Sequence, residues 1–176
     1  MEKIISNWPV EGVNFIDISD CLLYPVENDL AFLEMAKQLK FDHNYAIISP
    51  ESRGFIFGAP LAQIVKAPFL MLRKKGKLPV SETDSQFTFK APNEYAIAEF
   101  VLNASSLNNL RSRRINQFII VDDILATGDT ALAISTFLRE QGFSVNKALF
   151  YGEIIALKAA DKLKVENIQC FSFKKY

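Results

Sequence analysis

Phe118-Ile119-Ile120-Val121-Asp122-Asp123-Ile124-Leu125-Ala126-Thr127-Gly128-Asp129-Thr130 changes physical character three times within one short stretch. Phe118 to Val121 is an unbroken apolar, largely β-branched run, the pattern of a strand buried on both faces of a parallel sheet. Asp122 and Asp123 then fall where that strand is expected to end, and open α/β sheets bind ligands beyond the carboxyl ends of their strands. Ala126, Thr127 and Gly128 suit a tight turn, and Thr130 is placed to cap the amphipathic segment Ala131 to Gln141. Small residues turning into a helix present free backbone N–H groups to an anion. The stretch therefore reads as a phosphate cradle beside a carboxylate pair, a combination suited to a sugar phosphate. It reads equally as a strand, a turn and a capped helix with surface acids. It is neither a Walker loop, which ends in Gly-Lys-Ser/Thr, nor a dinucleotide fingerprint with three spaced glycines.

The rest of the chain limits what such a cradle can belong to. With 176 residues, 49% of them hydrophobic, the chain suits one domain, residues 1–176, around one well-buried core. Twenty basic residues balance twenty acidic ones. No overall field would hold the protein on nucleic acid or on an anionic membrane, so any anion site has to be local. Arg111, Arg113 and Arg114 have no interleaved aromatic residues and read as part of a solvated polar connection between Asn103 and Asn116. Cys21 and Cys170 belong to no CxxC pattern, and no metal-ligand cluster is visible. The first residues lack the apolar core of a signal peptide and no run is long enough to span a bilayer, so a cytoplasmic protein is expected.

Strand and helix signals alternate along the chain. A helix is expected over Asp29 to Lys40, capped by Asn28 or Asp29, with Leu30, Leu33, Met35, Ala36 and Leu39 as its apolar stripe. His43, the only histidine, reads as a solvated residue, which removes triad-type hydrolysis. Strands are expected at Tyr45 to Ser49, Pro68 to Leu72, Ala98 to Leu102, Lys147 to Tyr151 and Ile168 to Phe173, with helices running to Ile64 and over Leu157 to Lys164. Arg53 falls at a strand-to-helix turn. Arg73, Lys74, Lys75 and Lys77 crowd the end of the next strand, where they must be solvated or face an anion. Ser81 to Asn93 has no helical period and reads as an extended hairpin or a mobile loop. Residues 1–25 are too irregular for a long helix and too apolar for a free tail. The expected architecture is α/β, a mostly parallel sheet flanked by helices.

Val121 to Thr130, VDDILATGDT, resembles the phosphoribosyl pyrophosphate (PRPP) motif of the type I purine phosphoribosyltransferases, in the form carried by the adenine phosphoribosyltransferase family. Three further stretches agree in order: Gly12 to Ser19, Glu51 to Pro60 and Leu72 to Pro79. Tyr151-Gly152-Glu153 with Leu157-Lys158 is a weaker fifth match. Ile16, Ser49-Pro50, Ala96 and Asp129 depart from the family pattern.

The resemblance implies a small N-terminal hood (residues 1–25) over a purine, with Val13 to Ile16 reading the base edge and Phe15 stacking on it; a core position is the other reading of Phe15. It implies a flexible catalytic loop (residues 76–97) carrying Glu94 and Tyr95, with Glu94 as general acid or base. Ala126, Thr127, Gly128, Asp129 and Thr130 would hold the 5′-phosphate, and Asp122 and Asp123 the ribose hydroxyls. Arg53, Arg73, Lys74 and Lys77 would hold the pyrophosphate, with the Glu51–Ser52 bond cis. Mg²⁺ would be carried mainly by PRPP oxygens and water, so no protein metal site is expected. The implied activity is transfer of the phosphoribosyl group to adenine by a cytoplasmic homodimer. A same-fold enzyme for hypoxanthine, guanine or xanthine, and a PRPP-sensing regulator without catalysis, stay open as alternatives.

Overall fold

A computed structural model describes residues 3–8, 11, 14–39, 44–79, 81–92 and 97–176. In chain order these form strands β1 (Lys3–Ser6) and β2 (Asn14–Asp17), helix α1 (Pro25–Lys37), β3 (Tyr45–Pro50), α2 (Arg53–Val65), β4 (Phe69–Lys74), β5 (Gln86–Pro92) and β6 (Ile97–Asn103). There follow α3 (Ala104–Ser112), β7 (Gln117–Leu125), α4 (Asp129–Glu140), β8 (Ser144–Glu153), α5 (Ala159–Val165) and β9 (Gln169–Lys175). The apolar run of β7 lies inside a seven-stranded sheet ordered β5-β6-β4-β3-β7-β8-β9, beside the middle strand β3. Its side chains alternate between two cores, as strand geometry demands. Phe118 and Ile120 pack with α3, α4 and α5. Ile119 and Val121 pack with α1 and α2.

The pairs β3·β4, β3·β7, β7·β8 and β8·β9 are parallel. Among the described residues of this sheet, β4·β6 and β5·β6 are antiparallel. From β3 the chain winds through α2 to β4 on one side, whereas from β7 it winds through α4 to β8 on the other. The carboxyl ends of β3 and β7 therefore flank the point where the winding reverses, the place where such sheets leave a crevice. Apart from this sheet, β1 and β2 pair antiparallel, Lys3 opposite Asp17. Ile16 and Ile18 anchor that ribbon to the α1/α2 core.

Several local expectations are corrected. Helix α1 begins at Pro25 rather than Asp29, because proline is well suited to the first helical turn, where its missing N–H costs nothing. Its buried face is Ala31, Met35 and Ala36, while Leu30 and Leu33 are 51% and 53% exposed. Strand β7 does not stop at the acids but runs to Leu125, since β8 supplies ladder partners as far as Glu153. Helix α4 starts at Asp129 with Gly128 as its N-cap, at φ 80°, so Thr130 lies inside the first turn and caps nothing. The polar stretch after β6 contains helix α3, held by buried Leu107 and Leu110. Before α5, residues Ile155–Leu157 form a short 3-10 turn. Of the two readings of Ser81 to Asn93, the hairpin is the one formed: β5 pairs with β6 from Gln86↔Asn103 to Pro92↔Ile97. Cys21 and Cys170 form no disulfide, and among the described residues no helix is long and apolar enough to cross a membrane.

Candidate functional site

At the reversal point a cleft of about 550 Å³ opens between the ends of β3 and β7. Strand pairing brings Glu51, Ser52 and Arg53 beside Asp122 and Asp123, and the turn Ala126, Thr127, Gly128 and Thr130 continues the same wall. Phe15 and Ile16 face it from the β1/β2 ribbon, and Lys74 from the end of β4. The Glu51–Ser52 peptide is cis.

Period-two alternation in β7 separates the two acids. Asp123 shares the face of Val121 and is 4% exposed. There Arg53 Nε lies 2.8 Å from Asp123 Oδ2, a charge contact without hydrogen-bond alignment, so that buried oxygen lacks an aligned donor among the described residues. Asp122 points to the other face, half-buried in the cleft. The Asp123 N–H donates to Asp122 Oδ1 at 2.9 Å. A Cβ on Gly54 would come within 2.8 Å of the same oxygen, so only glycine lets α2 start this close to the carboxylate. Burial pushes the Asp122 carboxyl well above the usual carboxylate range, and the negative charge and side-chain contact of Asp123 push it further. The Asp123 N–H and the positive charge of Arg53 oppose the shift without cancelling it.

The cation cluster divides. Arg73 Nε donates to Glu51 Oε2 at 3.1 Å, and the Lys74 N–H donates to the same oxygen at 2.8 Å. Burial pushes Glu51 up, but these two bonds outweigh it and hold the carboxyl below its ordinary range. Arg73 is thus turned to Glu51, Lys75 pairs with Glu99, and Lys77 sits in the turn closed by its N–H on the Lys74 carbonyl. Of the four, Lys74 lines the cleft.

Phe15 is neither a core ring nor free. It packs edge-on against Trp8 with centroids 4.4 Å apart, and the Arg53 guanidinium lies 4.7 Å from its ring centre. Arg53 also reaches the Ile16 carbonyl, at 3.5 Å. The Ile16 side chain is buried. Asp129 turns away from the cleft to Lys162 of α5, whose hydrogen bond holds its carboxyl below the usual range. Val13, His43, Glu94 and Tyr95 lie outside the described residues. Thr130 Oγ1 nevertheless donates to the Pro92 carbonyl at 3.5 Å, so the end of β5 lies beside the cradle.

Sequence reading missed Trp8, the partners of Glu51, and Ile154 and Ala156 on the cleft wall. Trp8 carried one signal, as the sole tryptophan in an irregular apolar segment. Glu51 opens a stretch that matches the family, but its partners Arg73 and Lys74 on β4 are set by strand pairing and carried no signal.

Two adjacent carboxylates and a glycine-turned helix N-terminus thus meet in one cleft at the reversal point of a parallel sheet. Comparison with known proteins narrows the class. Residues 29–174 match the phosphoribosyl transferase domain, and the chain belongs to the phosphoribosyltransferase family. It is 34% identical to the adenine phosphoribosyltransferase of Methanococcus maripaludis across 95% of this chain and 92% of that one. Among solved structures it resembles the adenine phosphoribosyltransferase of Thermoanaerobacter pseudethanolicus (TM-score 0.78, 27% identity, covering 100% and 96% of the two chains). The enzyme of Giardia lamblia complexed with 9-deazaadenine is equally similar (TM-score 0.78, 28% identity, covering 100% and 94%).

Because Asp122 binds its proton more tightly folded than unfolded, its contribution is fully favourable below the unfolded value of about 3.9 and is lost as pH rises through the elevated folded value. Asp122→Asn is therefore expected to melt higher than the wild type near pH 7, with the difference closing towards about pH 4. Thermal melts across that range check it; a variant less stable at neutral pH contradicts the burial argument.

Proposed function

We propose that the protein is a purine-salvage phosphoribosyltransferase that moves the 5-phosphoribosyl group from PRPP to adenine, releasing AMP and pyrophosphate. The observation that carries this reading is the meeting of the carboxylate pair, the Gly128 turn and Arg53 in one cleft, in a chain so similar to adenine phosphoribosyltransferases. In this reading the amides from Ala126 to Thr130 hold the 5′-phosphate, with Asp129 contributing backbone rather than carboxylate. Asp122 and Asp123 accept hydrogen bonds from the ribose hydroxyls. Arg53, Lys74, Arg73 and Lys77 address the pyrophosphate, Arg73 and Lys77 after turning from their present positions.

The purine nitrogen forms its bond to the ribose anomeric carbon as the bond from that carbon to pyrophosphate breaks, and the electron pair leaves with pyrophosphate. The proton lost by the purine nitrogen passes to Glu94, carried between Pro92 and Ile97 at the end of the hairpin that Thr130 touches. Within 76–97, the segment joining β5 to β6 closes over the ribose and excludes water, Gln86–Pro92 being held in the hairpin, while residues 1–25 cover the base with Phe15, Val13 and Ile16. Catalysis then rests on positioning and on stabilising the departing charge.

Mg²⁺ fits this donor set. The buried Asp123 oxygen without an aligned donor suits a metal-bound water or a ribose hydroxyl. Bound with PRPP, the ion would neutralise charge on the leaving pyrophosphate.

The protein works in this reading as a cytoplasmic homodimer, with no nucleic-acid or membrane partner. Val26, Leu30 and Leu33 form an exposed stripe at i, i+4, i+7 on α1, and Ile56 and Ile64 a second on α2, apolar surface that a second copy would cover.

The test is a panel of adenine, hypoxanthine, guanine and xanthine incubated with PRPP and Mg²⁺ and resolved by chromatography. Adenine should give AMP at the highest rate. Product from another base alone reassigns the acceptor, and none from any base points to a PRPP-binding regulator. Glu94→Gln should lower kcat by about 10²–10⁴-fold with little change in substrate KM; unchanged turnover removes Glu94 from the chemistry. Leu30→Glu with Leu33→Glu should convert a dimer to a monomer in sedimentation, and a wild-type monomer would refute the α1 interface.

A further inference from the structure

Asp129 is the residue of the cradle whose chemistry least fits a phosphate. It opens α4, next to the turn that lines the cleft. A carboxylate there is favourable to the helix dipole but repels a phosphate dianion seeking the same amides. Behind the turn stands α5, and its inner face supplies the answer. A Cβ on Gly128 would meet Ala159 Cβ at 3.3 Å and Leu163 Cγ at 3.6 Å, so these two residues pack directly on the turn. Lys162, on the same helical face, bonds the Asp129 carboxylate through Nζ and reaches the Thr127 carbonyl at 3.4 Å.

That second contact has a directional consequence. The C=O and N–H of a trans peptide point in opposite directions. With the Thr127 carbonyl drawn towards α5, the Gly128 N–H is directed away from it, on the side where Thr127 and Gly128 line the cleft. The Lys162 and Asp129 side chains are 45% and 33% exposed, so as a stabilising ion pair they contribute little. Their effect is on what the cradle can bind.

We propose that Lys162 is a positioning residue for the phosphate cradle: it neutralises Asp129 and holds the Thr127–Gly128 peptide with its N–H towards the sugar phosphate. This rests on the phosphoribosyl reading above. Lys162 does not touch the phosphate; it cancels a charge that would oppose the phosphate, and α5 thereby becomes part of the binding apparatus.

The experiment is a mutant cycle on the intact protein: wild type, Lys162→Met, Asp129→Gly, the double variant and Lys162→Arg. Each is measured by calorimetric titration with ribose 5-phosphate and by steady-state kinetics with PRPP, adenine and Mg²⁺, with melting curves confirming folding. Lys162→Met should weaken ribose 5-phosphate binding and raise the KM for PRPP by roughly tenfold, the order of one uncompensated like charge at a partly solvated site, with little change in kcat. Asp129→Gly should bind at least as tightly as the wild type. The double variant should return to the Asp129→Gly affinity, and Lys162→Arg should stay near the wild type. Unaltered binding by Lys162→Met overturns the proposal, and so does a double variant as weak as Lys162→Met, which would put Lys162 on the phosphate itself. AMP formation by a wild type whose Lys162→Met variant is indistinguishable sinks this inference alone. A wild type that binds neither ribose 5-phosphate nor PRPP sinks the functional reading with it.

Discussion

One guanidinium faces two neighbouring carboxylates at the point where the sheet reverses, and the rest of the cleft is arranged around that imbalance. Arg53 meets Asp123 across the gap between β3 and β7, tying the start of α2 to the end of β7. It is also the platform beneath Phe15 and a donor to the Ile16 carbonyl, so the same side chain anchors the N-terminal ribbon. Asp122 is left without a cation of its own, and burial keeps its proton unusually tight. The buried Asp123 oxygen without an aligned donor is a liability for folding, and under the phosphoribosyl-transfer reading an asset for binding, because hydroxyl groups arriving on a sugar supply the missing donor.

The sequence was legible where physics is local. The apolar run of β7 has the pattern of a buried strand and forms one, and the small residues after it suit the turn they make. The alternation of strand and helix signals fixed a mostly parallel sheet without reference to any contact. Boundaries failed where a tertiary partner decided them. β7 continues through its acids because β8 is there to pair with it, and α1 starts early because proline accommodates the first turn. Helix α3 was hidden by its polarity, since only Leu107 and Leu110 reach the core. The stripe on α1 misled in a more useful way. Leu30 and Leu33 have the spacing of a core face but stand in solvent, which turns a scaffold argument into one about association.

Within the site, residue types were readable but partners were not. Nothing in the sequence says that Arg73 answers Glu51 or that Asp129 answers Lys162, because each pair joins elements brought together only by the fold. The aromatic contact of Trp8 with Phe15 is of the same kind. Under the adenine reading this ribbon is also where base selection must reside. Arg53 already uses the Ile16 carbonyl, so discrimination falls to neighbouring backbone groups and to the aromatic faces.

The pairing of cations with acids has a consequence for how the cleft meets a polyanion. Arg53 is matched to Asp123, Arg73 to Glu51, Lys75 to Glu99 and Lys162 to Asp129. Lys74 lines the cleft, with its backbone N–H on Glu51 and its ammonium in no ion pair among the described residues. A site prepared in this way is close to neutral although four motifs rich in charge converge on it. Under the phosphoribosyl-transfer reading, PRPP brings several negative charges to a cleft with little spare positive charge. The deficit is met by backbone amides at the start of α4, by Lys74 and by a magnesium ion that arrives with the ligand. In the same reading, neutral preparation disfavours unrelated anions, since a free phosphate offers neither hydroxyls for Asp122 and Asp123 nor a base for Phe15 to face.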